Sequence, residues 1–377
     1  MILSAEIYAE QLSTRGRGIP LWYPEPSWQT GEVQIGDVGF LFNGGFHRLF
    51  NATVPEDHAW NASQGVPENY KPLTPDVSRQ LTEFREQDLP QGILQSSSIK
   101  AVVAGAKIEG QVPGQPGGAA LSYDFEISKQ QGAVLILKDK AARKVVIPTQ
   151  HFHAYMRNNI ESWVAFAHRQ GLEYKEKDLL FVNGWTKTTG WHLAAFSQTA
   201  RSRSGTVRGQ ISAAIGAEVK ISMLGSEPAS VEERWGPTKL FQIPSPFENE
   251  AASERIGDQC VFLVAYKMKK RWGWPGMKIA AAAGYDRLPD SENTGEPGGA
   301  VLAQEPPGDE EGPPGSFSLA GPCDFVLNYI LEKSNAEYAI ASEADIDDLF
   351  CGEDWADDIA RYLEDYAPAI EVEDGGE

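Results

Sequence analysis

Residues 35–50 read IGDVGFLFNGGFHRLF. Two apolar-rich runs, 35–42 and 46–50, flank Asn43-Gly44-Gly45. Asn and Gly tolerate the left-handed backbone that a tight hairpin turn demands, so this stretch predicts two antiparallel strands. The same grammar extends outward in both directions. Short apolar runs at 98–110, 121–128, 133–137, 144–147, 241–243, 260–267 and 277–282 lie between Gly, Pro and Asn punctuation and predict further strands. Runs 179–182 and 191–197 are expected to pair around the GWTKTTG turn at 184–190.

Residues 211–223 alternate most cleanly: Ile211, Ala213, Ile215, Ala217, Val219, Ile221 and Met223 share one face of a single expected strand. That pattern suits a sheet with one wet face, and it also suits a strand of a membrane barrel. One long helix interrupts the strands. Between Thr149 and about Gln170, Phe152, Tyr155, Met156, Ile160, Trp163, Val164 and Ala167 recur at helical spacing, with Thr149 as N-cap and Gly171 as stop. Near the C-terminus, 323–333 reads as a helix, 338–341 as a short strand and 354–365 as an acidic helix. The expected fold is therefore mainly β (α+β): twisted antiparallel sheets with one long helix and a small acidic helical C-terminal segment.

Charge divides the chain. Of the net −20, residues 341–377 hold 14 acids and one base, Arg361, while 289–316 hold seven acids and no base. Residues 1–288 carry 29 acids and 31 bases, so the body is close to neutral. The 289–316 stretch is also rich in Pro and Gly, which resist helix and interior strand. The expected organisation is a β-rich body at 1–288, a disordered linker at 289–316 and an acidic segment at 317–377. An apolar fraction of 41% with 10 Trp, 12 Tyr and 16 Phe is enough to build a sizeable core.

The N-terminal residues lack a basic region followed by an apolar run, and no window reaches the ~18 apolar residues of a membrane-spanning helix. The three cysteines, Cys260, Cys323 and Cys351, are widely spaced and form neither a disulfide framework nor a zinc pattern. An intracellular, cytoplasmic location follows as an expectation. No phosphate-binding glycine loop and no nucleophile elbow occurs, so no cofactor is expected. His151 and His153 open the helix, where residues two apart face different ways, and no metal site is expected. The acids Glu343, Asp345, Asp347, Asp348, Glu353 and Asp354 lack the glycine of a calcium loop and read as a solvated surface.

The chemistry-bearing feature is basic. Lys267-Met-Lys-Lys-Arg-Trp-Gly-Trp-Pro275 places Lys267, Lys269, Lys270 and Arg271 beside Trp272 and Trp274 in what reads as a turn between two strands. Lys138, Lys140, Arg143 and Lys144 form a second cluster, and Arg201, Arg203 and Arg208 a third. Cations attract phosphate and Trp favours a membrane interface, which points to an anionic membrane surface or a protein partner. A body charge of +2 argues against nucleic acid. The acidic segment is itself an intramolecular partner for the basic turn.

Two resemblances follow from particular residues. GIPLWYPEP at 18–26, IGDVGF at 35–40 and FHRLFN at 46–51 resemble the opening of a large uncharacterised family from mushroom-forming fungi. LLFVNGWTKT at 179–188, with Gly190-Trp191, is similar to its central segment, and DQCVF at 258–262 to another of its blocks. That family would place a His-Asp-Asp-Asp-Trp-like run near the C-terminus. SEADIDD at 342–348 stands there instead without the histidine, and no metal role is carried over. The resemblance implies no activity. In element order alone, 98–147, 149–170, 179–197 and 208–223 resemble gasdermin-type pore-forming domains. The function expected is a non-catalytic binding protein, membrane-active in its strongest form and restrained by its C-terminal segment. The alternative is an enzyme with a site assembled from dispersed residues.

Overall fold

The computed structural model describes residues 4–73, 82–102, 120–127, 131–147, 150–198, 207–214, 220–224, 229–237, 257–271, 321–350, 355 and 359–370. The first third of the chain runs α1 (Ser4–Ser13), β1 (Ile19–Pro20), β2 (Asp37–Phe42), β3 (Gly45–Asn51), α2 (Ala59–Ala62), β4 (Thr82–Leu89), β5 (Gly92–Gln95), β6 (Ile99–Val102) and β7 (Ala120–Ile127). Then come β8 (Gln131–Leu137), β9 (Ala141–Val146), α3 (Gln150–Arg169), a 3-10 turn (Glu176–Asp178), β10 (Leu180–Thr188) and β11 (Trp191–Gln198). The last part holds β12 (Val207–Ala214), β13 (Lys220–Leu224), β14 (Ala229–Gly236), β15 (Gln259–Lys270), α4 (Pro322–Lys333), β16 (Tyr338–Ser342), α5 (Glu343–Leu349) and α6 (Ile359–Tyr366).

The protein is mainly β, and its strand pairings are antiparallel. The largest sheet has eight strands: β1, β15, β10, β2 and β3 in order, with β16 on β15 and β9 and β4 extending from β10. Two four-stranded sheets follow, β14-β11-β8-β5 and β13-β12-β7-β6. The 35–50 hairpin forms as β2 and β3, with Asn43 at φ +50° and Gly44 at φ +84° in its turn. A Cβ on Gly44 would stand 2.7 Å from that of Trp22, so the turn also needs glycine for space.

Helix α3 covers one face of the large sheet. Phe152, Met156, Ile160 and Trp163 pack there with Phe50, Phe181, Tyr266 and Met268. Helix α1 seals the junction with the second sheet through Tyr8 and Leu12 against Leu135, Leu193 and Phe262. The opposite face of the second sheet packs on the third through Val134, Ile136 and Phe196 against Phe125 and Ile127. The residues of α4, β16, α5, Trp355 and α6 form an apolar cluster of their own, including Cys323, Leu327, Ile346 and Leu363.

A buried polar network fastens the β2–β3 hairpin. The Arg48 guanidinium meets the Asp37 carboxylate at 2.6 and 2.7 Å, and both side chains are excluded from solvent. Arg48 also donates to the carbonyls of Thr30 and Glu32. Asn51 donates to Asp37 at 2.8 Å, and Asn61 accepts from the Asn51 N–H at 2.7 Å. Buried charges persist only when paired and hydrogen-bonded, as these are.

Several expectations need correction. Residues 180–188 form one continuous strand, and β10 pairs with β15, β2 and β9 while β11 pairs with β8 and β14. GWTKTTG therefore joins two sheets instead of closing a hairpin. The alternating run 211–223 is a hairpin of β12 and β13, with Ile211 opposite Ile221. Among the described residues α1, α2, α5 and β14 were not anticipated. The acidic helix expected at 354–365 is described at Ile359–Tyr366. The runs at 241–243 and 277–282, the linker at 289–316 and Arg201 and Arg203 lie outside the described residues. No helix among the described residues is long and apolar enough to cross a membrane.

Candidate functional site

The cations that stood out in the sequence lie in a strand, not a turn. Lys267, Lys269 and Lys270 belong to the last turn-free residues of β15, a twelve-residue strand, and Arg271 follows it directly. Trp272 and Trp274 lie outside the described residues. The ladder from β10 to β15 ends at Phe181 opposite Tyr266. Beyond that point β15 pairs with β16, from Tyr266 opposite Ser342 to Lys270 opposite Tyr338.

Alternation along the strand sends its side chains to two faces. Tyr266 and Met268 point into the core beneath α3. On the other face Lys267 Nζ donates to Asp324 Oδ2 and Lys269 Nζ to Asn328 Oδ1, each at 2.7 Å. Both partners lie on α4. Lys270 is within 3.6 Å of Glu337 and 3.8 Å of Glu161, and stacks over the Tyr338 ring. Arg271 donates to the carbonyls of Leu331, Ser334 and Ala336 at 2.7–2.9 Å for the latter two, closing the C-terminal end of α4 where carbonyls lack helical partners. Its own N–H donates to the Glu337 carbonyl at 2.8 Å. The second basic cluster also touches the C-terminal part of the chain, because Arg143 meets Asp347 at 3.2 Å. Asp347 in turn accepts from Trp355 Nε1 at 3.0 Å.

A cavity of about 70 Å³ lies along this contact, bordered by Ala9, Ile19, Lys267, Cys323, Asp324 and Glu343. That is room for a few waters and not for a folded ligand. Burial pulls the Lys267 ammonium down, but neighbouring acids, Asp324 foremost, outweigh it and leave it above its ordinary range. Glu343 is 3% exposed and accepts the Ala265 N–H at 3.2 Å. Burial pushes its carboxyl up to about 7, against the opposing pull of the Ala265 and Glu343 N–H groups and Lys267. Burial also raises the Cys323 thiol well above its ordinary value and the Cys260 thiol to about 12, so neither is a ready thiolate at neutral pH.

Glu343 gives this contact a pH signature. Its folded-state value lies above that of an exposed glutamate, so the folded protein holds the extra proton between pH ~4.5 and about 7. Its contribution is present in acid and is lost as pH rises through that window. Glu343→Gln keeps an acceptor for the Ala265 N–H and cannot ionise. Stability measured by chemical denaturation from pH 4.5 to 7.5 should fall less steeply with pH in the variant than in the parent, on the order of 1 kcal/mol or more across the window. Parallel curves would place the ionised carboxylate comfortably inside the fold.

The histidines do not converge. His58 caps α2, His168 meets the Tyr174 carbonyl at 3.0 Å, His192 meets Glu233 at 3.0 Å and His47 stacks on Phe40. The cations were legible in the sequence, but Asp324 and Asn328 were not, and Glu343, expected on a solvated acidic surface, is 3% exposed because it packs against β15 and accepts the Ala265 N–H. Nor was the burial of Lys187 against Glu32 at 2.6 Å legible. No known family model and no curated protein matches the chain.

Proposed function

We propose that the protein is a non-catalytic intracellular binding protein whose basic strand end is the binding element, and that the C-terminal segment restrains it. One observation carries the reading. Lys267, Lys269, Lys270 and Arg271 all have partners in residues 321–342, on the only part of β15 that β16 covers. Cys323, Leu327, Ile346, Trp355 and Leu363 also share an apolar cluster separate from the α3 core, which favours α4, α5 and α6 moving as a unit, while Tyr338 and Ile340 of β16 hold that unit to α3. In the restrained form the cations are engaged within the chain. In the released form they face an anionic membrane surface or a protein partner. The Pro- and Gly-rich acidic stretch at 289–316 acts as the tether in this reading.

Charge reversal on the restraining side tests it. Asp324→Lys with Glu337→Lys turns two attractions into repulsions and leaves β15 itself unchanged. The double variant should speed amide exchange at residues 266–270 by about tenfold or more, equivalent to ~1.4 kcal/mol, while α3 and β8 keep their rates. It should also gain affinity for polyglutamate, and added salt should remove that gain because exposed charges are screened within ~8–10 Å. Unchanged exchange and unchanged binding would sink the restraint.

The enzyme reading draws its support from Glu343, a carboxyl titrating near neutrality beside a cavity. It is the weaker of the two, because at that cavity Lys267 is already paired with Asp324 and Glu343 accepts the Ala265 N–H.

A further inference from the structure

We infer that the partner taken by the released strand end is an extended acidic segment of another protein, added antiparallel to β15 at residues 266–270 in the place of β16. The inference rests on the restraint described above and adds the chemistry of the occupant. Three features of the contact define it.

First, residues 267–270 of β15 have ladder partners on one side alone among the described residues, and those partners are in β16. Releasing β16 leaves a row of backbone donors and acceptors that only another strand satisfies as a set. Second, the cations occupy both faces of the strand. Lys267 and Lys269 face α4, while Lys270 reaches Glu161 of α3. A flat anionic membrane engages one face, whereas an added strand runs along the edge between them and presents side chains to both. Third, β16 supplies a template. Tyr338 and Ile340 pack against the α3 core, and Ala339 and Ala341 face the C-terminal cluster. A partner strand would therefore carry apolar side chains at the positions of Tyr338 and Ile340. Carboxylates at the intervening positions would meet Lys267, Lys269 and Arg271 once α4 has left.

The test uses the full chain carrying Asp324→Lys and Glu337→Lys, with Ile340→Asp as a second host that loosens β16 by a different route. The probe is a labelled peptide copying residues 335–343 with Ala339→Glu and Ala341→Glu. It should bind both hosts about tenfold or more tighter than the parent protein, ~1.4 kcal/mol. Peptides with Ala339→Lys and Ala341→Lys, or with alternate backbone nitrogens methylated to remove strand donors, should lose that gain. Equal binding of the methylated peptide would overturn strand addition in favour of charge alone. Binding of phosphatidylserine vesicles without peptide binding would overturn the partner class and leave the restraint standing. Rapid amide exchange at 266–270 with no ligand bound would overturn the partner inference and leave the cations without a role in binding. Full protection in both hosts would overturn the restraint, and the inference with it.

Discussion

Trp163→Ala should lower the stability of the protein by about 3–5 kcal/mol, the largest loss expected of any single truncation in α3. Trp163 is 1% exposed and stands edge-on to Phe50 at 5.8 Å and to Phe181 at 5.4 Å. Phe50 comes from β3 and Phe181 from β10, so one indole joins the helix to two strands of the large sheet. Its removal forfeits the transfer energy of a buried indole and two oriented ring contacts, and it leaves a cavity that rigid neighbours fill poorly. Chemical denaturation of the parent and variant measures the difference. A loss under ~1 kcal/mol would mean that the α3 core collapses to fill the site and that close packing there contributes little.

Arg48→Leu should be comparably costly, about 3–5 kcal/mol, for an electrostatic reason. Asp37 is 0% exposed and Arg48 4% exposed. Removing the guanidinium strands a carboxylate in the interior and orphans the Thr30 and Glu32 carbonyls. The remaining donors, Asn51 and the Gln34 N–H, each at 2.8 Å, supply dipoles but no charge. Arg48→Leu with Asp37→Asn removes both charges and should recover a substantial part of the loss, since a neutral buried pair avoids the ionic desolvation cost. Equal destabilisation in the single and double variants would show that packing of the arginine stem, rather than the ion pair, dominates.

Local rules made the hairpin and the long helix legible. Asn43 and Gly44 advertise positive φ, and the recurrence from Phe152 to Ala167 marks a face three to four residues apart. The 211–223 run misled because its alternation continues in phase on both arms of the β12–β13 pair. Ile211 opposite Ile221 and Ser212 opposite Lys220 have the same parity whether the chain turns or continues straight. The polar residues of Thr186-Lys187-Thr188 looked like a turn because a buried lysine is rare. Its partner Glu32 lies 155 residues away and is invisible to any local pattern. The same holds at the candidate site. Four cations in five residues were plain, but Lys267 meets Asp324 across 57 residues and Lys270 reaches Glu161 on α3, and only those two contacts together reveal a strand with charges on both faces. Glu343 read as one acid among many because its burial against the Ala265 N–H is a property of the assembled sheet.

In the proposed release, β16 and the helices α4, α5 and α6 open from β15 together while the body stays folded. Native-state amide exchange on the unmodified full chain tests it most directly. Amides of residues 266–270 and 338–342 should share one opening free energy, lower than that of the α3 and β8 amides, and rising salt should lower it further as the Lys267, Lys270 and Arg143 pairs are screened. Exchange of these amides only through global unfolding, with the same free energy as α3 and β8 at every salt concentration, would contradict the account and make β16 a permanent strand of the large sheet.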